Sequence, residues 1–173
     1  MNKIKSLLEP TEKAVWNSQP EYAPYITSAV FGSLMAAVFV SIFIGAFLKS
    51  LLLAVIIGII IFASGIIISQ MAYKRTHYAI TNKRAIIQSG IIGRDFKSID
   101  YDRMQNVSVN VGLLGVIFKV GSVRIFTGEL ETVGSGKDSR IQAKYDGFNY
   151  VKSPYEVLKK LQTHLSKRKE KLA

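Results

Sequence analysis

The 173-residue chain contains no cysteine and only two histidines, His77 and His164. The first absence excludes disulfides and cysteine-ligated metal, and it leaves the redox compartment open. The scarcity of imidazole leaves little material for a nucleophile–base pair or a zinc centre. The carboxylates Asp100, Asp102, Glu129 and Glu131 fall near turns, but nothing in the sequence pairs them. No cofactor, no metal and no enzymatic activity are therefore expected. Charge is missing too, and in a pattern: no charged residue lies between Glu21 and Lys49, or between Lys49 and Lys74.

What is present divides the chain in two. Hydrophobic residues make up 49% of it, yet the formal net charge is +11. The oily residues gather in the first half and the basic ones in the second. Residues 25–48 and 51–73 each exceed the roughly 20 apolar residues that carry a helix across a hydrocarbon core of about 30 Å. A single helix through both would be roughly 75 Å long, too long for one crossing. Lys49-Ser50 is the natural break, so the reading is a helical hairpin with a tight turn. A cleaved signal peptide fits the first run poorly, because the apolar core is too long and no small-residue cleavage site precedes a polar start. Lys3, Lys5 and Lys13 precede the first span; Lys74, Arg75, Lys83 and Arg84 follow the second. Basic flanks stay in the cytoplasm, which places both termini inside and Lys49 outside, in a multi-pass protein of the plasma or inner membrane. Tyr22, Tyr25 and Tyr73 suit an interfacial belt. Ser28, Gly32 and Ala36, at four-residue spacing, would let the two helices approach closely or join two chains. The lack of charge inside either span argues against a pump or transporter and for an anchor.

The second half reads as short strands. Thr76–Thr81 and Arg84–Ser89 pair around Asn82-Lys83, where Asn tolerates the left-handed backbone of a tight turn. Ile91–Tyr101 is extended, with a bend at Gly93. In "QNVSVNV", Val107, Val109 and Val111 alternate with polar residues, the pattern of a strand with one buried face. "GLLGVIFKVGS" holds a turn of helix, and Ser122–Gly128 is a further strand. Glu129–Gly136 reads as a loop, Arg140–Tyr145 as a strand, and Asp146-Gly147 as a turn. Ser153-Pro154-Tyr155-Glu156 has the form of a capping box with proline at the first helical position. Val157, Leu158, Leu161 and Leu165 then share one helical face. The domains are accordingly an N-terminal cytoplasmic segment, 1–24, the two spans within 25–73, and a cytoplasmic domain, 74–173. That domain is a mainly-β small barrel or bent sheet capped by a C-terminal helix, 154–171.

Several stretches together carry a resemblance. They are "EKAVWNSQPEYAPY" before the spans, the Tyr78-x-Ile80-Thr81-Asn82-x-Arg84 run leading to Gly90, Ile99–Val109, "GLLG" followed by "GSVRIFTG", and Pro154 before the last helix. The chain resembles the prokaryotic pleckstrin-homology-like (PH-like) domains of small membrane proteins, the YdbS-like group, over nearly its whole length. The resemblance implies a PH-like fold of about seven antiparallel strands and a capping helix, with no enzyme activity. It also implies that phosphate groups would be bound at the first hairpin loop.

Lys74, Arg75, Lys83 and Arg84 are the candidate contacts to lipid or partner. Each basic residue at an anionic leaflet contributes about 1 kcal/mol. Lys74 and Arg75 also serve simply to stop transfer and set topology, and Lys83 and Arg84 also fit a solvated surface turn. "VGSGKDS", Val133–Ser139, is no phosphate loop: the position five before the Gly-Lys pair is Glu131, and the strand-to-helix context is absent. The basic tail after Ser166 either lies on anionic lipid or dissolves the helix end. Beside a membrane, lipid is a nearer polyanion than nucleic acid, which is disfavoured. The function expected is a membrane-anchored, non-catalytic adaptor. It would bind a protein partner, a second copy of itself or anionic headgroups at the inner leaflet. The alternative is an accessory subunit of a larger transport or secretion complex in the membrane.

Overall fold

A computed structural model describes residues 8–91, 95–134 and 139–172. Lys3, Lys5, Gly93 and Lys137 lie outside the described residues, as do the side chains of Arg168, Lys169 and Lys171.

The first strand, β1 (Ala14–Ser18), precedes two long helices, α1 (Tyr22–Leu48) and α2 (Leu51–Arg75). Then come β2 (His77–Thr81), β3 (Arg84–Ser89), β4 (Asp95–Asp100), a 3₁₀ turn at Tyr101–Arg103, and β5 (Asn106–Asn110). A short helix α3 (Leu113–Phe118), the long strands β6 (Val120–Val133) and β7 (Arg140–Lys152), and α4 (Pro154–Leu172) complete the chain. The strands form two antiparallel sheets, β1-β2-β3-β4 and β5-β6-β7.

The two sheets and α4 close over one core. Tyr78, Ile80, Ala85 and Ile99 come from the first sheet; Val123, Ile125, Phe148 and Val151 from the second; Val157 and Leu161 from α4. Val107 and Val109 are half-buried and alternate with exposed neighbours, as their period-two pattern requires. Trp16 packs on Phe148 at 5.4 Å between ring centres, so β1 contributes to this core as well.

Both helices are long and apolar enough to cross a membrane. Lys49, in the left-handed conformation at φ 51°, ends α1, and the Ser50 hydroxyl accepts from the Leu53 N–H at the start of α2. The pair packs through small residues, but not through Gly32 and Ala36, which are exposed. A Cβ added at Gly32 would meet nothing within 4 Å. The close face is Ser33, Ala37, Ser41 and Gly45 against Gly65, Gly58 and Ala54. A Cβ on Gly58 would lie 2.2 Å from Ser41 Oγ, and one on Gly65 would lie 2.5 Å from Ser33 Cβ. The same four-residue spacing recurs one position round the helix, and α1 is apolar on every side, so the sequence pattern did not single out this face.

Four local expectations are corrected. Glu129–Val133 is strand, not loop, and continues β6 beyond the end of β5. Asp146-Gly147 is no turn: β7 runs straight through it, and Gly147 is needed because a Cβ there would sit 1.9 Å from the Val123 carbonyl oxygen. Ser153 has φ 47°, not the extended backbone of a capping-box residue, although its carbonyl accepts from the Glu156 and Val157 N–H groups. Asn82 has no positive φ, so its place in the turn has another cause.

Candidate functional site

The short run Thr81–Arg84 gathers the polar groups at one end of β2. Thr81 Oγ1 accepts from the N–H groups of Lys83 and Arg84, which closes the β2–β3 turn. Asn82 works through its side chain: Oδ1 accepts from the Lys13 N–H at 2.9 Å and Nδ2 donates to the Thr11 carbonyl. Arg84 donates from Nε and Nη2 to the two carboxylate oxygens of Glu12, at 3.0 and 2.8 Å, in the bidentate geometry that suits guanidinium and carboxylate. Thr81 Oγ1 also donates to Glu12, at 2.7 Å, and the Glu12 side chain is fully buried. Burial works against the Glu12 charge, but the hydrogen bonds from Arg84, Thr81 and the backbone outweigh it and hold its pKa below the usual carboxylate range. The bond to Glu12 likewise raises the pKa of Arg84. Lys83 pairs with Glu9 at 2.6 Å.

These bonds tie the segment before β1 to the β2–β3 turn. Every named position of the Tyr78-x-Ile80-Thr81-Asn82-x-Arg84 run thus has a contact within the fold. Ile80 is buried, and the buried hydroxyl of Tyr78 accepts from the Asn149 N–H across the two sheets. Burial pushes the Tyr78 phenol up to about 12.

The four sequence candidates are not brought together. Lys74 and Arg75 end α2, immediately before β2 starts at His77; Lys83 and Arg84 follow its last residue, Thr81. A five-residue strand separates the pairs by about 15 Å. The Asn82-Lys83 turn is thus at the end of β2 remote from the helices, not the end nearest them. Nor is it the first hairpin loop of the domain. The first connection, between β1 and β2, is the helix pair itself. β1 is not apparent in the sequence because its partner lies beyond the whole helix pair, with Ala14 opposite Thr81 and Ser18 opposite Tyr78.

The helix-pair end of the domain is built differently. Lys74 is exposed, and Arg75 donates from Nη1 to the Ile91 carbonyl. The Glu21 N–H donates to the Tyr150 carbonyl at 2.7 Å, and Glu21 pairs with Lys152 at 3.2 Å. Tyr25 meets Tyr73 and Tyr150 at ring-centre distances of 5.6 and 6.1 Å. Gln19 Nε2 lies 3.4 Å from both the Thr76 carbonyl and His77 Nε2. His77 is half-buried, and burial lowers its pKa. A cavity of about 440 Å³ opens beside this junction, lined by Asn110, Leu113, Ser122, Asn149 and Tyr150 among others. Its lining has hydrogen-bonding groups but no ionisable side chain except the Tyr150 phenol. That composition suits contact with neutral polar or apolar groups.

Comparison with known proteins fits this architecture. The family described as Bacterial PH domain matches residues 30–169. The chain belongs to the bacterial PH domain family. PH-like domains are, as a class, non-catalytic binding modules. Among solved structures, a DUF1696 family protein with a pleckstrin-homology domain from Shewanella loihica PV-4 is similar at 17% identity and a TM-score of 0.31. The match covers 55% of this chain and 71% of that one. The comparison with curated proteins finds no match.

Proposed function

We propose that the protein is a membrane-anchored, non-catalytic adaptor whose PH-like domain is held against the inner leaflet. The observation that carries this reading is the way the helix pair joins the sheet. It enters and leaves through adjacent strands, with three residues between β1 and α1 and only Thr76 between α2 and β2. A domain on a flexible tether would explore many orientations; one joined by two short connections keeps one end toward the bilayer. Both termini are on the cytoplasmic side in this reading, following the basic flanks Lys13, Lys74 and Arg75.

The groups offered to anionic headgroups are Lys74 and Arg75, at the helix-pair end. Lys83 and Arg84 take part in the contact with Glu9 and Glu12 that secures β1, which favours a structural role for them. A protein partner is favoured by the part of β6 and β7 that extends past β5. There Leu130 and Ile141 project on one face, 64% and 72% exposed. The subunit reading draws on the same extension.

The test is hydrogen exchange on the full chain in nanodiscs. Anionic lipid should slow exchange at Thr76–Tyr78 relative to neutral lipid, and salt should reverse the difference. At about 1 kcal/mol per basic residue, Lys74→Ala with Arg75→Ala should weaken the contact up to about thirtyfold and abolish the difference. Identical exchange in both lipids would leave the adaptor with protein contacts alone.

A further inference from the structure

We propose that the apolar face of α3 inserts into the bilayer beside α1, as a third, monotopic anchor that fixes the tilt of the domain. The proposal rests on the reading that α1 and α2 span the membrane. It begins from an anomaly: α3 exposes its largest side chains. Leu113 is 87% exposed, Val116 70% and Ile117 69%, and Val111 just before the helix is exposed as well. On the other face Gly115 is buried so closely that an added Cβ would lie 2.6 Å from the Val120 carbonyl oxygen. Leu114 and Phe118 are half-buried on the domain. The helix is therefore seated firmly, and three large hydrophobic residues are held outward with no partner among the described residues.

Their position says what covers them. α3 joins the end of β5 to the start of β6, and that end of the second sheet carries Tyr150 and Lys152, which bind Glu21 at the N-cap of α1. α3 itself packs beside α1. The exposed face is thus continuous with the apolar surface of the helix pair, where Phe31, Leu34, Met35 and Val38 are also exposed. Exposed Lys119 ends α3 in the left-handed conformation, and Lys74 and Lys152 are exposed at the same end of the domain. Apolar residues rimmed by cations are the arrangement of a segment that lies about 5–10 Å into the headgroup and acyl boundary. A second copy could cover an apolar face too, but it would have to do so beside α1, where lipid is already present.

The chain has no cysteine, so single cysteines report without background. Val116→Cys, Phe43→Cys in α1 and Thr163→Cys on the exposed side of α4 would each be labelled with an environment-sensitive fluorophore in the full chain. The protein would be reconstituted into vesicles carrying lipid quenchers at shallow or deep acyl positions. The expected result is loss of Val116→Cys fluorescence to shallow quenchers, loss of Phe43→Cys fluorescence to deep ones, and none at Thr163→Cys. Quenching at Phe43→Cys but not at Val116→Cys would overturn the α3 proposal and leave the spanning helices standing. A blue-shifted but unquenched Val116→Cys label would also overturn it, in favour of a second copy on that face. No quenching at any position would remove the anchor reading itself.

Discussion

Glu12 is the buried charge that ties the segment before the first strand to the β2–β3 turn. Its carboxylate is buried, yet it sits among Arg84, Thr81 and a backbone N–H that favour its charge. A carboxyl whose pKa is lower in the fold than in the unfolded chain stabilises the fold while ionised. That contribution is present above the ordinary glutamate value of 4.5 and is lost as the pH falls through the lower folded value. Charged hydrogen bonds contribute about 1.5–3 kcal/mol. Glu12→Gln should therefore destabilise the detergent-solubilised protein by about that amount near neutrality, and the gap from the parent should close in acid. Thermal unfolding of both proteins across the pH range checks this, and a gap that stays constant into acid would show that the charge is not what matters. None of this was legible locally. Arg84 and Lys83 are recognisable as a basic pair, but their partners lie 72 and 74 residues away in sequence, on the other side of the helix pair. A cation's surroundings decide whether it is a contact or a structural tie, and the sequence shows only the cation.

The elements with a strong period were readable, and those that depend on remote neighbours were not. The apolar runs bounded the two long helices to within three residues, because hydrophobic length and a charged break state the answer directly. Val107 and Val109 marked β5, and Pro154 marked the start of α4. Glu129–Val133 was obscured because a strand that extends past its neighbour has no buried face to impose a pattern. Small residues were visible in α1, but rotation about the helix axis was not, since apolar residues surround it. The packing face can be tested through bulk. Leucine at Gly65 would meet Ser33, and leucine at Gly58 would meet Ser41; either should destabilise the helix pair by about 1–3 kcal/mol through overpacking. Leucine at Gly32 has open space and should change little. Detergent stability of the three variants should separate Gly32 from the other two, and equal losses would reassign the interface.

At the scale of the molecule, an apolar hairpin occupies the connection between the first and second strands of a PH-like domain. The resemblance assigned phosphate binding to a first hairpin loop, whereas here that connection is the helix pair. The basic turn that follows belongs to the opposite end of β2. With the helix pair in a membrane, as proposed, the bilayer would be the reference frame of the domain. In the proposed arrangement the β2–β3 turn and Glu12 would face the cytoplasm, and Lys74, α3 and Tyr150, at the helix-pair end of the domain, would face the lipid. The most direct measurement of this account is cysteine accessibility in intact cells, using an impermeant thiol reagent. Ser50→Cys, between the helices, should be labelled from outside, and Lys160→Cys, on the exposed side of α4, should be labelled only after the membrane is permeabilised. Labelling of Lys160→Cys in intact cells, with Ser50→Cys protected, would place the domain in the other compartment and contradict the account.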